Sequence, residues 1–243
     1  GRLPEALASL ERAEELEPGS ASIRMKKAKV LVGMGNDDAA SSEFEASFKL
    51  TPHREDLVRG LGLQRMGNVR EAEKIYRDVL LRDPRNVDAL RLLAGIAMRA
   101  RQWGDAEALL ERALEIAPDF HQGWNDLGLA RQEQDKTEDA IEAFERVVQL
   151  KPQMPGGFVS LGTVHAMIGN HDAAMAAFRK ALQYDPRHFG ALSGRGQVYL
   201  QLDELEMALE SFELALERNP WMDNVRTQME MIRARLNARP RPI

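Results

Sequence analysis

The chain has 243 residues, room for one or two globular domains or for one extended array. A formal net charge of -5 argues against a nucleic-acid binder, whose footprint would be a basic surface, and the lack of cysteine excludes disulfides and thiolate metal sites. No run approaches the roughly 18 apolar residues of a membrane span, which leaves cytoplasm and periplasm equally open. Gly1 falls inside a repeating pattern and is not a methionine, so residues upstream are expected.

The pattern is a ladder of prolines: Pro18, Pro52, Pro84, Pro118, Pro152, Pro186 and Pro220. Each step is 34 residues except one of 32. Twelve residues before each proline stands an alanine, from Ala6 and Ala40 through Ala72, Ala106, Ala140 and Ala174 to Ala208. Eight before each stands a large apolar residue: Leu10, Phe44, Tyr76, Leu110, Phe144, Phe178 and Phe212. Twenty-four before lies a small one, Ala28, Gly60, Ala94, Gly128, Gly162 or Gly196. Small residues at positions 8 and 20 of a unit let two helices approach, and the bulky residue at position 24 fills the space between them. Proline at position 32 ends the second helix.

In chain order, residues 1–20 supply only a second helix, Leu3 to Leu16. Six full repeats follow, at 21–52, 53–86, 87–120, 121–154, 155–188 and 189–222. The first is irregular: Lys27 takes a position that favours leucine, and its stem is expected to pack while its charge reaches water. Arg59 and Arg195 invite the same expectation, with a basic ligand contact as the alternative. Around residue 53 two residues are missing. Aligned on Gly67 and Ala72 the loss falls in the preceding linker, and aligned on Leu61 and Gly62 it falls in the internal turn. The first alignment keeps Gly60 at position 8. Gly35-Asn36, Gly67-Asn68 and Gly169-Asn170 mark internal turns that need positive φ. After Pro220, the stripe Met222, Val225, Met229, Ile232 and Leu236 predicts a capping helix over 223–238, with residues 239–243 as a tail.

The unit 121–154 carries the pattern most fully, in Trp124, Leu127, Gly128, Ala140, Phe144 and Pro152. On those residues the chain resembles the tetratricopeptide repeat (TPR) family over roughly residues 1–238. The resemblance implies an all-α fold, a right-handed superhelical α-solenoid of antiparallel helix pairs, here with a C-terminal capping helix, and a bacterial source. It also implies a non-catalytic scaffold that binds a peptide or helix of a partner protein in a concave groove. The groove would be lined by first helices at positions 2, 5, 9, 12 and 13. In this chain those positions include Lys29, Gln64 and Arg65, then Arg91, Met98 and Arg99. They continue with Asn125, Leu129 and Gln132, then Thr163 and Met167, then Ser193 and Gln197. Two known subtypes fit poorly. The carboxylate clamp of chaperone-binding arrays would need cations and asparagines where the chain has Arg91, Gly95, Asp126, Gly156 and Ser160. The asparagine ladder of the glycosyltransferase kind would fall on Lys26, Val58, Leu92, Asp126, Ser160 and Gly194.

Tests for chemistry give no catalytic, metal or cofactor site. Gly60-Leu61-Gly62 and Gly194-Arg195-Gly196 do not complete a phosphate loop and sit inside helices. No two of His53, His121, His165, His171 and His188 stand four apart; His165 is expected to be a satisfied packing residue and the others solvated. Pairs such as Glu14-Glu15, Asp37-Asp38 and Glu138-Asp139 are expected on exposed helical faces, outside any closed pocket of the kind acid–base chemistry uses. Two other roles stay open. Residues 71–97 look similar to arrays that precede bacterial sulfotransferase domains, which would make the chain an accessory region of a larger enzyme. The uncovered face of Leu3–Leu16 offers a route to homo-oligomers.

Overall fold

The computed structural model describes residues 3–50 and 53–238, except the side chains of residues 44, 45 and 48–50. Phe44, Pro52 and the tail 239–243 therefore lie outside the described residues. Those residues form fourteen α-helices and no strand. They divide into two compact units, residues 1–84 and 85–243.

The first unit holds α1 (Leu3–Leu16), α2 (Ala21–Gly33), α3 (Asp37–Leu50), α4 (Arg54–Arg65) and α5 (Val69–Arg82). In it α1 packs on α2, α2 on α3, and α4 on α5. The second holds α6 (Val87–Arg99), α7 (Trp103–Ile116), α8 (His121–Gln132), α9 (Thr137–Leu150), α10 (Pro155–Met167), α11 (His171–Tyr184), α12 (Phe189–Gln201), α13 (Leu205–Arg218) and α14 (Asp223–Ala238). Here each helix packs on the next, and the first helices also meet one another, α6 with α8 and α10 with α12. The architecture is an all-α helical-repeat solenoid.

The small-against-large logic is visible at α8–α9 and α10–α11. A Cβ on Gly128 would stand 2.6 Å from the Phe144 ring, and one on Gly162 would stand 2.7 Å from Phe178. Both rings are fully buried, so the glycines set how closely the paired helices lie. Where the filler is the smaller Leu110, alanine suffices at position 94. The position-20 alanines from Ala40 to Ala208 are all buried; only Ala6, on α1, is not.

Internal turns share one geometry. The backbone N–H that closes each reaches back five residues: Asn36 to Leu31, Asn68 to Leu63, Gln102 to Ala97, Lys136 to Arg131, Asn170 to His165 and Glu204 to Tyr199. The turn before α5 is thus full length, and the missing two residues fall ahead of it, one in the linker and one in α4. Three residues, 51–53, join α3 to α4, where other repeats are joined by four, and α4 has 12 residues against 13 in α2 and α6. His53 meets that shortening with a left-handed φ of 64°.

Lys27 departs from its expectation. Its ammonium does not reach water but lies between two carboxylates, 2.7 Å from Glu14 on α1 and 2.9 Å from Glu43 on α3. Arg24 joins the same two acids at 2.8 and 3.0 Å. Glu14 is accordingly half-buried, not on an open face. The reason is geometric: with α1 and α3 on either side of α2, a charge on its packing stripe meets their acids before it meets solvent. Arg59 does reach solvent and pairs with Asp56 at 3.0 Å, while Arg195 donates to the buried Ser211 hydroxyl at 3.2 Å.

Candidate interaction face

The first helices of the second unit present a row of side chains that the packing stripe leaves over. On α6, Arg91 projects toward α8 and donates to Asp126 at 2.8 Å, with its guanidinium 5.9 Å from the Phe120 ring centroid. That carboxylate also accepts from Asn125 at 3.5 Å. Farther along α8, Gln132 donates to the Met167 sulfur on α10 at 3.3 Å. Thr163 turns its hydroxyl onto the Val159 carbonyl at 2.8 Å. At the end of the row Gln197 accepts from Gln228 of α14 at 2.7 Å. Polar contacts between successive first helices therefore hold their spacing, each linking residues about one repeat apart.

The residues picked from the pattern sort into two groups. Leu129 is 37% exposed and Met167 62%, and both stand on α8 and α10 with no burial requirement of their own. Arg99 and Thr163 are exposed as well, and Ser193 is half-buried. Met98, by contrast, packs against the cluster of Ala94, Leu110 and Leu127. Gln64, in the first unit, is drawn into the fold, because the buried Tyr76 hydroxyl donates to it at 3.3 Å. Lys29 and Arg65 of that unit are exposed. Gln197 is engaged by Gln228 of the capping helix, a polar contact that the apolar stripe of that helix did not signal.

Charge on this face is balanced at Arg91, while the exposed Arg99 is in no ion pair among the described residues. Arg91 is neutralised by Asp126, which removes the isolated cation that an anionic chain end would need. His121, at the head of α8, is held below its ordinary value first by burial and then by the nearby Lys151 and Arg91, so it stays neutral near pH 7.

Three expectations for imidazole groups are corrected. His165 buries its Nδ1 with no hydrogen-bond partner, so it packs without being satisfied there. His171 likewise has a buried Nδ1 without a partner, and His188 is no free side chain, since its Nδ1 accepts from the Ala191 N–H and caps α12. Each sits where a helix starts or packs, and backbone or neighbouring helix displaces water. Among the described residues, no three His, Asp or Glu side chains converge as metal ligands.

Fold and face together define a helical-repeat interaction scaffold. The tetratricopeptide repeat model matches residues 57–121, 96–155, 125–183 and 159–220, more than half of the chain, and the chain belongs to that family. It is 28% identical over 124 residues to human tetratricopeptide repeat protein 7B, a match covering 50% of this chain and 15% of that protein's length. Among solved structures it is similar to MamA, at 27% identity and a TM-score of 0.60, over 66% of this chain and 94% of that one. It is also similar in fold to YrrB, titled a TPR protein with an unusual peptide-binding site, at 18% identity and a TM-score of 0.55, over 93% and 100% of the two chains. No helix among the described residues is long and apolar enough to cross a membrane.

Proposed function

We propose that the face formed by α6, α8, α10 and α12 is a groove that takes a peptide segment of a partner protein. The observation that carries this reading is the exposure of Leu129 and Met167 on adjacent first helices whose spacing is held by Arg91–Asp126 and Gln132–Met167. Two apolar anchors on a face whose Arg91 is already neutralised suit a largely neutral segment with apolar side chains, and the hydroxyls and amides beside them suit its backbone. YrrB, a TPR protein with an unusual peptide-binding site, shares this fold, and peptide binding is likewise proposed for this chain. The chain's role is binding rather than turnover.

A peptide library selected against the whole chain supplies the probe. Leu129→Glu and Met167→Glu place charge on exposed positions, so helicity is retained. Each is expected to weaken the selected peptide about tenfold or more, as loss of an interface anchor does. Unchanged affinity in both variants would move the binding surface elsewhere.

A further inference from the structure

A second surface lies on another stripe of α8. Trp124, Leu127 and Arg131 line a cleft of about 380 Å³ with Leu114, Glu111 and Glu115 of α7 and Glu142 of α9. Its floor is apolar: Leu127 and Leu114 are buried, and the Trp124 ring is fixed by its N–H donating to the Pro118 carbonyl at 2.9 Å. Its rim is acidic. Arg131 contributes no available positive charge, because its guanidinium donates to Glu107 at 3.1 Å, to Glu111 at 3.0 Å and to the Asp139 carbonyl at 3.3 Å. Glu115 and Glu142 are exposed, and neither is in an ion pair among the described residues. The Trp124 ring already accepts one guanidinium, that of Arg146, 5.8 Å from its centroid.

We propose that this cleft docks an arginine or lysine side chain from a basic segment of a partner protein. An apolar floor of this kind takes the aliphatic stem, and the two unpaired carboxylates at the rim take the charged end. An anionic or purely apolar group would leave those carboxylates opposed or without a counter-charge. The site is separate from the α6–α12 face, since Trp124, Leu127 and Arg131 stand on a different stripe of α8 from Asn125, Leu129 and Gln132.

The test uses the full chain and an acetylated, amidated pentapeptide carrying two arginines, with the matching citrulline peptide as neutral control. The Trp124 indole N–H is followed by NMR. A saturable shift is expected with the arginine peptide and a severalfold weaker one with citrulline. Glu115→Gln combined with Glu142→Gln is expected to weaken the arginine peptide about tenfold, with an unchanged circular dichroism spectrum. Leu129→Glu is expected to leave the titration unaltered, which separates failure here from failure of the groove reading. Absence of a saturable shift, equal response to the two peptides, undiminished affinity in the double variant, or loss of the shift in Leu129→Glu would each overturn the proposal.

Discussion

The repeats at 21–52 and 121–154 hold the same helix pair together by different means. In the later one, Gly128 admits the fully buried Phe144 ring beside Ala140, so the centre of the contact is apolar. In the earlier one, the packing stripe of α2 carries Arg24 and Lys27, and four charges from three helices stand in contact. The helix pair is the same because short turns and matched volumes dictate it. What differs is the response to perturbation: apolar contacts depend on shape, whereas an ion network depends on protonation and on every partner being present.

Shape dependence gives the largest expected effect. Phe144→Ala should destabilise the second unit by about 3–5 kcal/mol, through lost burial and a cavity that Gly128 cannot fill. Urea unfolding followed by tryptophan emission checks it, since Trp103, Trp124 and Trp221 all lie in that unit. A loss below about 1 kcal/mol would mean that the pair collapses around the gap and that the ring is not its keystone.

The ion network ranks next and carries a pH signature. Lys27→Ala should cost about 2–4 kcal/mol, because it leaves Glu14 and Glu43 facing each other with only Arg24 between them. The hydrogen bond from Lys27 holds the Glu14 carboxyl below its ordinary 4.5, against the opposing effect of burial. A carboxylate depressed in the folded state contributes its stability in full above the unfolded value. That stability is lost as pH falls through the folded one. Burial draws the Lys27 ammonium down, but the hydrogen bonds it donates to Glu14 and Glu43 outweigh that and leave the group above its ordinary 10.5. Its contribution therefore persists up to 10.5 and is lost only at still higher pH. The protection of α2 and α3 amides against hydrogen exchange, taken relative to the intrinsic rate at each pH, should fall on acidification below pH 4.5 and do so less in Glu14→Gln. An equal loss of protection in both chains would remove Glu14 from the account. Glu107 shows the same device in the second unit: burial raises its carboxyl, but Lys136, Gln134 and Arg131 outweigh it and hold the group low.

The helix order, the turns and the close pairs were legible in the sequence because each rests on residues within one repeat. Gly60 and Tyr76, or Gly128 and Phe144, lie sixteen apart in every unit, so periodicity alone reveals them. The ion network was not legible. Glu14 and Glu43 meet Lys27 from two other helices, and nothing in their own neighbourhoods distinguishes them from solvated acids. The same holds for the interaction face. Position numbers brought Leu129 and Met167 to one face, but they could not show that Met98 packs inward or that Gln64 and Gln197 answer Tyr76 and Gln228. The cleft at Trp124 escaped for a related reason, since its rim is drawn from α7 and α9 as well as α8.

The smallest effect concerns the internal turns, which are built to one geometry with different residues. Gly35, Gly67 and Gly169 take positive φ at the internal turn, and Arg101, Asp135 and Asp203 take it at φ 58°, 59° and 61° without a glycine's freedom. A left-handed conformation costs a residue with a Cβ roughly 1–2 kcal/mol, while a glycine placed there loses about 0.5–1 kcal/mol through the freer unfolded chain. Arg101 is exposed and its side chain is in no ion pair among the described residues, so the backbone term decides the sign. Arg101→Gly should therefore stabilise the second unit slightly, by up to about 1 kcal/mol, and Gly169→Ala should destabilise it by about 1–2 kcal/mol. Thermal melting of the two variants against the parent chain checks both signs. If Arg101→Gly instead lowers the melting temperature, the arginine stem makes a packing contribution that outweighs backbone strain, and the turns differ in more than their φ angles.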